Sequence, residues 1–227
     1  FSFGEREVFR NINFSIRPNE VTAFIGVSGC GKTSLIKLLS GLLEADSGEI
    51  LYGGEFNETL NKQEIAIIFQ DSTLFPWKTV EDNIRLASGK VIDVNKIASE
   101  VGLSGALKLY PDQLSGGMKQ RAEFGRVIVR SPKVLFMDEP FSRLDIQYRR
   151  HLQNLFLKIQ KTQNPTTIIV THDISEALTV AKNIKVLIGS PVYEILEFEV
   201  EEAKFDELKH RIENALLQDF KTLSNSN

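Results

Sequence analysis

The chain has a single cysteine, Cys30, in 227 residues, so an intrachain disulfide is excluded and a reducing compartment is the expected setting. Long apolar runs are also missing: none approaches the roughly 18 residues of a membrane-spanning helix, so any membrane role should go through a partner. Neither sign of charge dominates, because 27 basic and 30 acidic residues leave a net charge of −3. That balance disfavours a general nucleic-acid surface, although a local basic patch stays open.

The composition supplies enough apolar material for a packed core. With 42% hydrophobic and 25% charged residues, the chain fits one globular domain. It opens on Phe1 rather than methionine, so we expect a preceding segment, a strand, to be missing.

Short β-favouring runs alternate with helical patterns along the chain, which predicts an α/β fold. Continuous apolar runs are typical of strands covered on both faces of a parallel sheet, whereas alternating runs predict half-buried strands. The predicted strands are "NINFSI" (11–16), "VTAFI" (21–25), part of "ADSGEILYGG" (45–54), "EIAIIF" (64–69), "KVLFM" (133–137), "TTIIV" (166–170), "KVLI" (185–188) and "EILEFEVE" (194–201).

Apolar residues at helical spacing predict the helices between these strands. We expect one domain with a core at 1–73 and 131–190, a mostly helical insertion at 74–130, and a C-terminal strand and helix at 191–227. The apolar positions that define the predicted helix faces are Leu35, Leu38, Leu39 and Leu42, then Leu152, Leu155, Phe156 and Ile159, and finally Phe205, Leu208, Ile212 and Leu216.

The stretch "GVSGCGKTS" (26–34) fits the phosphate-loop pattern GxxxxGK(S/T) between a predicted strand and a predicted helix. In such a loop the backbone N–H groups surround the α- and β-phosphates, Lys32 reaches the β- and γ-phosphates, and Thr33 places a hydroxyl on Mg²⁺. The alternative is an ordinary glycine-rich turn. The predicted ATP-binding residues of the loop are Gly26, Ser28, Gly29, Cys30, Gly31, Lys32, Thr33 and Ser34.

A second constellation lies in "VLFMDEP" (134–140), where an apolar strand ends in two adjacent carboxylates. Ligands collect at the carboxyl ends of parallel strands. Asp138 is therefore predicted to hold Mg²⁺ together with Thr33, and Glu139 to polarise an attacking water as general base. A solvated strand end is the alternative interpretation.

A third stretch, "LSGGMKQR" (114–121), begins a predicted helix without a histidine, cysteine or carboxylate. Ser115 can cap the helix while Gly116 and Gly117 leave N–H groups exposed, which makes a second anion site. In isolation, a purely structural helix cap would be the better explanation. Together with the other two motifs, however, it resembles the LSGGQ signature of the ATP-binding cassette (ABC) ATPases, with Met118 in place of the commoner glutamine.

The resemblance spans nearly the whole chain and implies a P-loop NTPase core with a mostly parallel sheet, an antiparallel β subdomain and an inserted helical subdomain. It implies that Ser115, Gly116, Gly117 and Gln120 act in trans, on the γ-phosphate of ATP held by a second copy. Asp145 in "SRLD" resembles the dimer-crossing loop, although Arg143 replaces a small residue there.

Three further residues resemble family positions. Phe3 resembles the aromatic residue that stacks on adenine. Gln70 in "IIFQD" resembles the glutamine that touches Mg²⁺, and His172 in "IVTHD" resembles the switch histidine near the γ-phosphate. Their alternatives are an ordinary packed phenylalanine, a buried strand-end amide and a structural histidine. The implied catalytic residues are Glu139, His172 and Lys32.

By this resemblance the chain is similar to ATPase subunits of importers of the nitrate, sulfonate and taurine type. That implies Mg²⁺-dependent ATP hydrolysis coupled to transport, and an ATP-bound homodimer at the cytoplasmic face of the membrane. It further implies permease subunits as partners, a solute-binding protein as an indirect one, and no nucleic acid. A soluble ABC ATPase acting on nucleic acid or ribosomes is the alternative, but the chain has neither a long coiled-coil insertion nor tandem cassettes.

The segment "TLFPWKTV" (73–80) has little polar content for an exposed loop and directly follows the region of Gln70. Leu74, Phe75 and Trp77 are therefore predicted to dock a short helix of a permease. The alternative is that these side chains pack the root of the helical insertion, because tryptophan and phenylalanine are usually buried.

Overall fold

The computed structural model describes residues 1–4, 6–53, 61–142 and 144–224; within these ranges the side chains of Phe3, Lys62 and residues 222–224 are outside the description. The chain forms two compact units, one from Phe1–Lys62 and Thr166–Asn227, the other from Gln63–Pro165. The described strands are β1 (Ser2–Phe3), β2 (Arg6–Glu7), β3 (Val21–Ile25), β4 (Ile65–Ile68), β5 (Val134–Asp138), β6 (Thr166–Thr171), β7 (Asn183–Gly189) and β8 (Val192–Glu199). The described helices are α1 (Lys32–Leu39), α2 (Val80–Ser88), α3 (Val94–Glu100), α4 (Gly116–Arg130), α5 (Ile146–Gln163), α6 (Ile174–Val180) and α7 (Phe205–Ser224).

In the first unit, the fully buried strand β3 lies between two parallel neighbours, β6 and β7. Strand β8 adds to β7 in antiparallel orientation. Helix α1 packs against β6, and α7 packs against β7 and α6. Because the inner strands are covered by helices, their sequences are continuous apolar runs. Strands β1 and β2 form a separate antiparallel pair.

In the second unit, β4 and β5 pair in parallel, with Ile65 opposite Val134. Helix α2 packs against α4, and α4 also contacts β4, α3 and α5. Three fully buried phenylalanines form the centre of this unit: the rings of Phe124 and Phe141 are 5.6 Å apart, and those of Phe141 and Phe156 are 6.4 Å apart.

Side-chain caps explain where most of these helices begin. Thr79, Asp93, Ser115, Asp145 and Asp173 each accept a hydrogen bond from a main-chain N–H of the first turn of the helix that follows. Such caps satisfy N–H groups that have no partner inside the helix.

Three local predictions were wrong. Residues 11–16 are not a strand: their exposure alternates as predicted, but no ladder forms in this part of the described chain. Leu42 lies beyond the end of α1 and is 56% exposed, because the helix stops at Leu39 before Gly41, whose φ of 70° does not continue a helix. In "ADSGEILYGG", Tyr52 makes only a single bridge, and Gly54 lies outside the described residues.

None of the helices in the described ranges has both the length and the apolar character needed to cross a bilayer.

Candidate active site

The glycine loop connects β3 to α1 in the first unit, and its conformation requires glycine at two positions. Gly29 has φ of +80° and Gly31 has φ of +107°, a region that side chains strongly disfavour. A β-carbon on Gly31 would also lie 2.4 Å from Val8 Cγ1. At the start of the loop, a β-carbon on Gly26 would lie 2.7 Å from Cys30 Sγ. The loop is therefore compact, with main-chain atoms close to its neighbours.

The N-terminus of α1 is open to an anion. Gly31 is the N-cap and has no side chain that could accept a hydrogen bond from the first turn of the helix. Lys32 begins the helix, is only 8% exposed, and donates from Nζ to the carbonyls of Gly26 at 2.8 Å and Val27 at 3.1 Å. This places a cation and several main-chain donors on one loop, which suits a chain of phosphates.

Three other loop residues differ in exposure. Ser28 and Thr33 are exposed, and Ser34 is half-buried. Cys30 is buried, and burial raises the pKa of its thiol; the nearby Lys32 cation acts in the opposite direction but is the smaller influence.

His172 belongs to the same edge of the same sheet as the loop. Thr171 at the end of β6 pairs with Ile25 at the end of β3, so His172 and Gly26 each come one residue after adjacent strand ends. The His172 side chain is exposed, and the next residue, Asp173, caps α6 by accepting from Glu176 N at 3.0 Å. The Phe3 side chain, predicted to stack on adenine, lies outside the described part.

The two strand-end carboxylates of the second unit have different surroundings. Asp138 is 3% exposed at the end of β5, whereas Glu139 is half-buried and has φ of +48°. The Glu139 carbonyl oxygen accepts hydrogen bonds from Ser142 N at 3.3 Å and Ser142 Oγ at 3.0 Å. Its carboxylate Oε2 accepts a long bond of 3.4 Å from Gln70 Nε2. The unit thus brings together Gln70 and Glu139, which are far apart in sequence.

The signature stretch forms the start of α4. Ser115 is the N-cap and accepts from Met118 N at 3.2 Å; at the helix start, Gly116 is exposed and Gly117 is half-buried. Gln120 points elsewhere: it is 7% exposed, and its Nε2 donates to Glu139 O of the same chain at 3.3 Å. The sequence did not predict this contact.

Asp145, predicted in the dimer-crossing loop, is exposed and caps α5 through hydrogen bonds from Gln147 N at 3.1 Å and Tyr148 N at 3.0 Å. Arg143, the departure from the family pattern, lies outside the described residues.

The predicted docking residues differ in burial. Leu74 is 6% exposed and Phe75 is half-buried, whereas Trp77 is 70% exposed. The Phe75 and Trp77 rings are 5.6 Å apart. Phe75 lines a groove of about 280 Å³ together with parts of β4, α2 and α4. Packing therefore explains Leu74 but does not explain Trp77.

Two residues that sequence reasoning missed hold this segment in place. Asn83, fully buried in α2, accepts from Phe75 N and donates to Phe75 O, Lys78 O and Thr79 O. Glu123 in α4 accepts from Thr73 N at 2.7 Å. Neither carries a sequence signal, because each acts through contacts made only after the helices pack.

Two features define the class of protein. A glycine loop joins a buried parallel strand to the N-terminus of a helix, and another strand ends in Asp-Glu. Together they are typical of a P-loop nucleotide-binding protein of the α/β class. Residues 9–142 match the protein family described as ABC transporter. The chain belongs to the ABC transporter family, and the predicted family is confirmed.

Several curated relatives are ATP-binding proteins of importers. An aliphatic sulfonates import ATP-binding protein, SsuB, of Bacillus cereus is 38% identical over 226 residues, covering 96% of this chain and 90% of that protein. SsuB of Bacillus subtilis (strain 168) is 41% identical over 189 residues, covering 81% and 74%. The nitrate import ATP-binding protein NrtC of Synechococcus elongatus is 34% identical over 220 residues, covering 92% of this chain and 33% of that protein.

A solved structure of the ATP-binding cassette MJ0796, described as a dimeric post-hydrolysis state bound to ADP and Pi, has a TM-score of 0.77 and 22% identity to this chain. The match covers 88% of this chain and 95% of the MJ0796 chain. The predicted α/β P-loop fold is confirmed.

Proposed function

We propose that this chain is the ATP-hydrolysing subunit of an importer for a small organic or inorganic anion of the sulfonate or nitrate kind. The observation that carries the proposal is the glycine loop, whose open helix N-terminus and buried Lys32 suit the phosphates of ATP. The sulfonate and nitrate importer relatives support the solute class.

The nucleotide is held chiefly by the loop. Main-chain N–H groups from Gly29 to Thr33 bind the phosphates, and Lys32 exchanges its carbonyl partners for phosphate oxygens. Stacking of Phe3 on adenine is proposed from the family resemblance alone. Thr33, Gln70 and Asp138 are the residues that would hold Mg²⁺, because their hydroxyl, amide and carboxylate oxygens are the donors that this hard cation prefers. The cation would supply positive charge to offset that of the phosphates.

Hydrolysis depends on Glu139 and His172. Glu139 orients and deprotonates the attacking water. Its carboxylate accepts a hydrogen bond from Gln70, which positions it, and the residue is only half-buried, so water can reach it. His172 directly follows the end of β6, beside the strand end from which the glycine loop begins, and donates a hydrogen bond to the γ-phosphate.

A complete site needs two chains. The helix start at Ser115, Gly116 and Gly117 is a second anion site, and the stretch around it has no carboxylate, histidine or cysteine to act as a base. It therefore binds the γ-phosphate held by a partner copy. Two-fold symmetry then gives two identical sites in an ATP-bound homodimer, with Asp145 near the crossing loop.

The chain is peripheral, at the cytoplasmic face of the membrane, where it docks to permease subunits. The exposed Trp77 and the groove beside Phe75 form the docking surface. A solute-binding protein acts only through the permease, and nucleic acid is not a partner.

Phosphate release from Mg-ATP tests the hydrolytic activity. The Lys32→Ala variant should lose about 100-fold or more of kcat/KM, because it removes a loop cation that can reach the phosphates. Lys37→Ala is the matched control: it lies on the same helix in the last turn and should retain wild-type activity. Equal rates for wild type and Lys32→Ala would contradict the proposal.

A further inference from the structure

The main chain of Glu139 has a conformation that needs support. Its φ of +48° lies in the left-handed region, which side-chain-bearing residues rarely adopt, and strained residues of this kind persist only where their surroundings hold them. Three donors converge on its carbonyl oxygen: Ser142 N, Ser142 Oγ and Gln120 Nε2. The direction of the Glu139 side chain depends on this turn.

Gln120 is the one of these donors that comes from a different element. It lies in the second turn of α4, five residues after the helix cap Ser115, and is 7% exposed. Its other amide atom, Oε1, is buried and has no hydrogen-bond partner among the described residues. The side chain also lines a cavity of about 10 Å³, shared with Gln70 and Ser72, which is close to the space of one water.

We propose that Gln120 is a positioning residue for Glu139 of its own chain, holding the strained turn so that the carboxylate faces the attacking water. The inference rests on the proposed ATP hydrolysis. It changes the expected role of Gln120, since Ser115 acts across the dimer whereas Gln120 acts within one chain. The signature helix would thereby offer its N-terminus to the γ-phosphate of the partner copy and, one turn later, hold the main chain of Glu139 in its own chain.

Kinetics separate positioning from binding. Gln120→Met keeps the length and volume of the side chain but removes the donor. The carboxylate should then shift, and kcat should fall between about 10-fold and 100-fold, because small misplacements of a reacting group are costly. KM for ATP should change less than about twofold, since the role proposed for Gln120 is in the hydrolysis step and not in nucleotide binding.

Gln163→Met is the matched control. Gln163 lies in the same unit, donates from Nε2 to the carbonyl of Ile128 at 3.4 Å, and likewise has a buried Oε1 without a partner among the described residues. It should keep wild-type kcat. Ser142→Ala removes the other side-chain donor to Glu139 O and should lower kcat without changing KM, as Gln120→Met does.

The Glu139→Gln background distinguishes action within one chain from action across the dimer. In that background, size-exclusion chromatography in Mg-ATP should show a dimer both with and without Gln120→Met, whereas adding Ser115→Arg should give monomers. Loss of the dimer by Gln120→Met, as by Ser115→Arg, would overturn the inference. So would wild-type kcat in a folded Gln120→Met variant; if that variant misfolds, Gln120→Ala takes its place with the same expectations.

The proposed function and this inference fail differently. Without ATP hydrolysis by the wild type, or without a dimer of Glu139→Gln alone, the proposed function is wrong. When the wild type hydrolyses ATP and Glu139→Gln dimerises, two measurements decide the role of Gln120: the kcat of Gln120→Met, and dimerisation of Gln120→Met in the Glu139→Gln background.

Discussion

Cys30 lies within the phosphate loop but lacks the properties of a reactive thiol. It is 3% exposed, and burial raises the pKa of the thiol despite the Lys32 cation nearby. The thiolate is the reactive form, so a raised pKa leaves the group neutral at physiological pH. Its small size matters more than its chemistry, because it packs against Gly26.

Alkylation of Cys30 by iodoacetamide should therefore be at least about 10-fold slower in the folded protein than in denaturant at pH 8. The folded-state rate should begin to rise at a higher pH than the unfolded-state rate, because ionisation of the thiol requires a higher pH in the fold. Mass spectrometry of modified protein over time measures both rates. Equal alkylation rates in the folded and unfolded states would show that the fold neither buries the thiol nor lowers its reactivity.

At the residue scale, the sequence predicted the position of the glycine loop, which depends on local order in the chain. The loop of 26–34 could be predicted because glycine spacing, lysine and flanking elements lie together in the chain. The contact of Gln120 with Glu139 could not, since it joins a helix to a strand end 19 residues away only after packing. The same holds for Glu123, whose carboxylate accepts from Thr73 N, 50 residues earlier in the chain.

Among the elements, the segment before α2 combines a buried anchor with an exposed ring. Leu74 is in the core, and Asn83 holds the main chain of residues 75 to 79 through four hydrogen bonds. Trp77 is therefore presented on a fixed loop. A large apolar side chain held in this way is typical of an interaction surface.

Trp77→Ala should leave the free energy of unfolding within about 0.5 kcal/mol of wild type, because the side chain is 70% exposed. ATPase activity of the isolated chain should also be retained. The fraction of the protein that co-sediments with membranes containing the permease should fall, because anchors of this kind often contribute about 2 kcal/mol to binding. Chemical denaturation and membrane co-sedimentation measure the two effects.

Leu74→Ala is the contrasting variant. It removes a buried side chain and should cost about 2 to 5 kcal/mol of stability. If Trp77→Ala lost as much stability and bound membranes normally per folded molecule, docking at Trp77 would be rejected.

Residues 11–16 show what an alternating pattern can and cannot predict. Exposure alternates along the segment, and the Phe14 ring packs 5.3 Å from that of Phe24, so the predicted inward face exists. A strand also needs a partner for its backbone hydrogen bonds, and alternation carries no information about that partner. The continuous apolar runs were predicted better, because burial on both faces accompanies pairing on both sides, as for β3.

For the whole molecule, the proposed site residues are divided between the two compact units. The first contains Lys32 and His172, and the second contains Asp138, Glu139 and Ser115. The order of the motifs along the chain was sufficient to predict the family and fold. The requirement for a second chain rests on one physical feature, a signature loop that has an anion site but no catalytic group.

The most direct test of this composite site mixes two variants that are each inactive alone. In Lys32→Ala the phosphate loop fails, and in Ser115→Arg the signature fails, so a mixed dimer keeps one intact loop facing one intact signature. An equimolar mixture should recover phosphate release, up to about one quarter of the wild-type rate if chains pair at random and the two sites are independent. No recovery, with both variants folded and Ser115→Arg still binding ATP, would contradict the account.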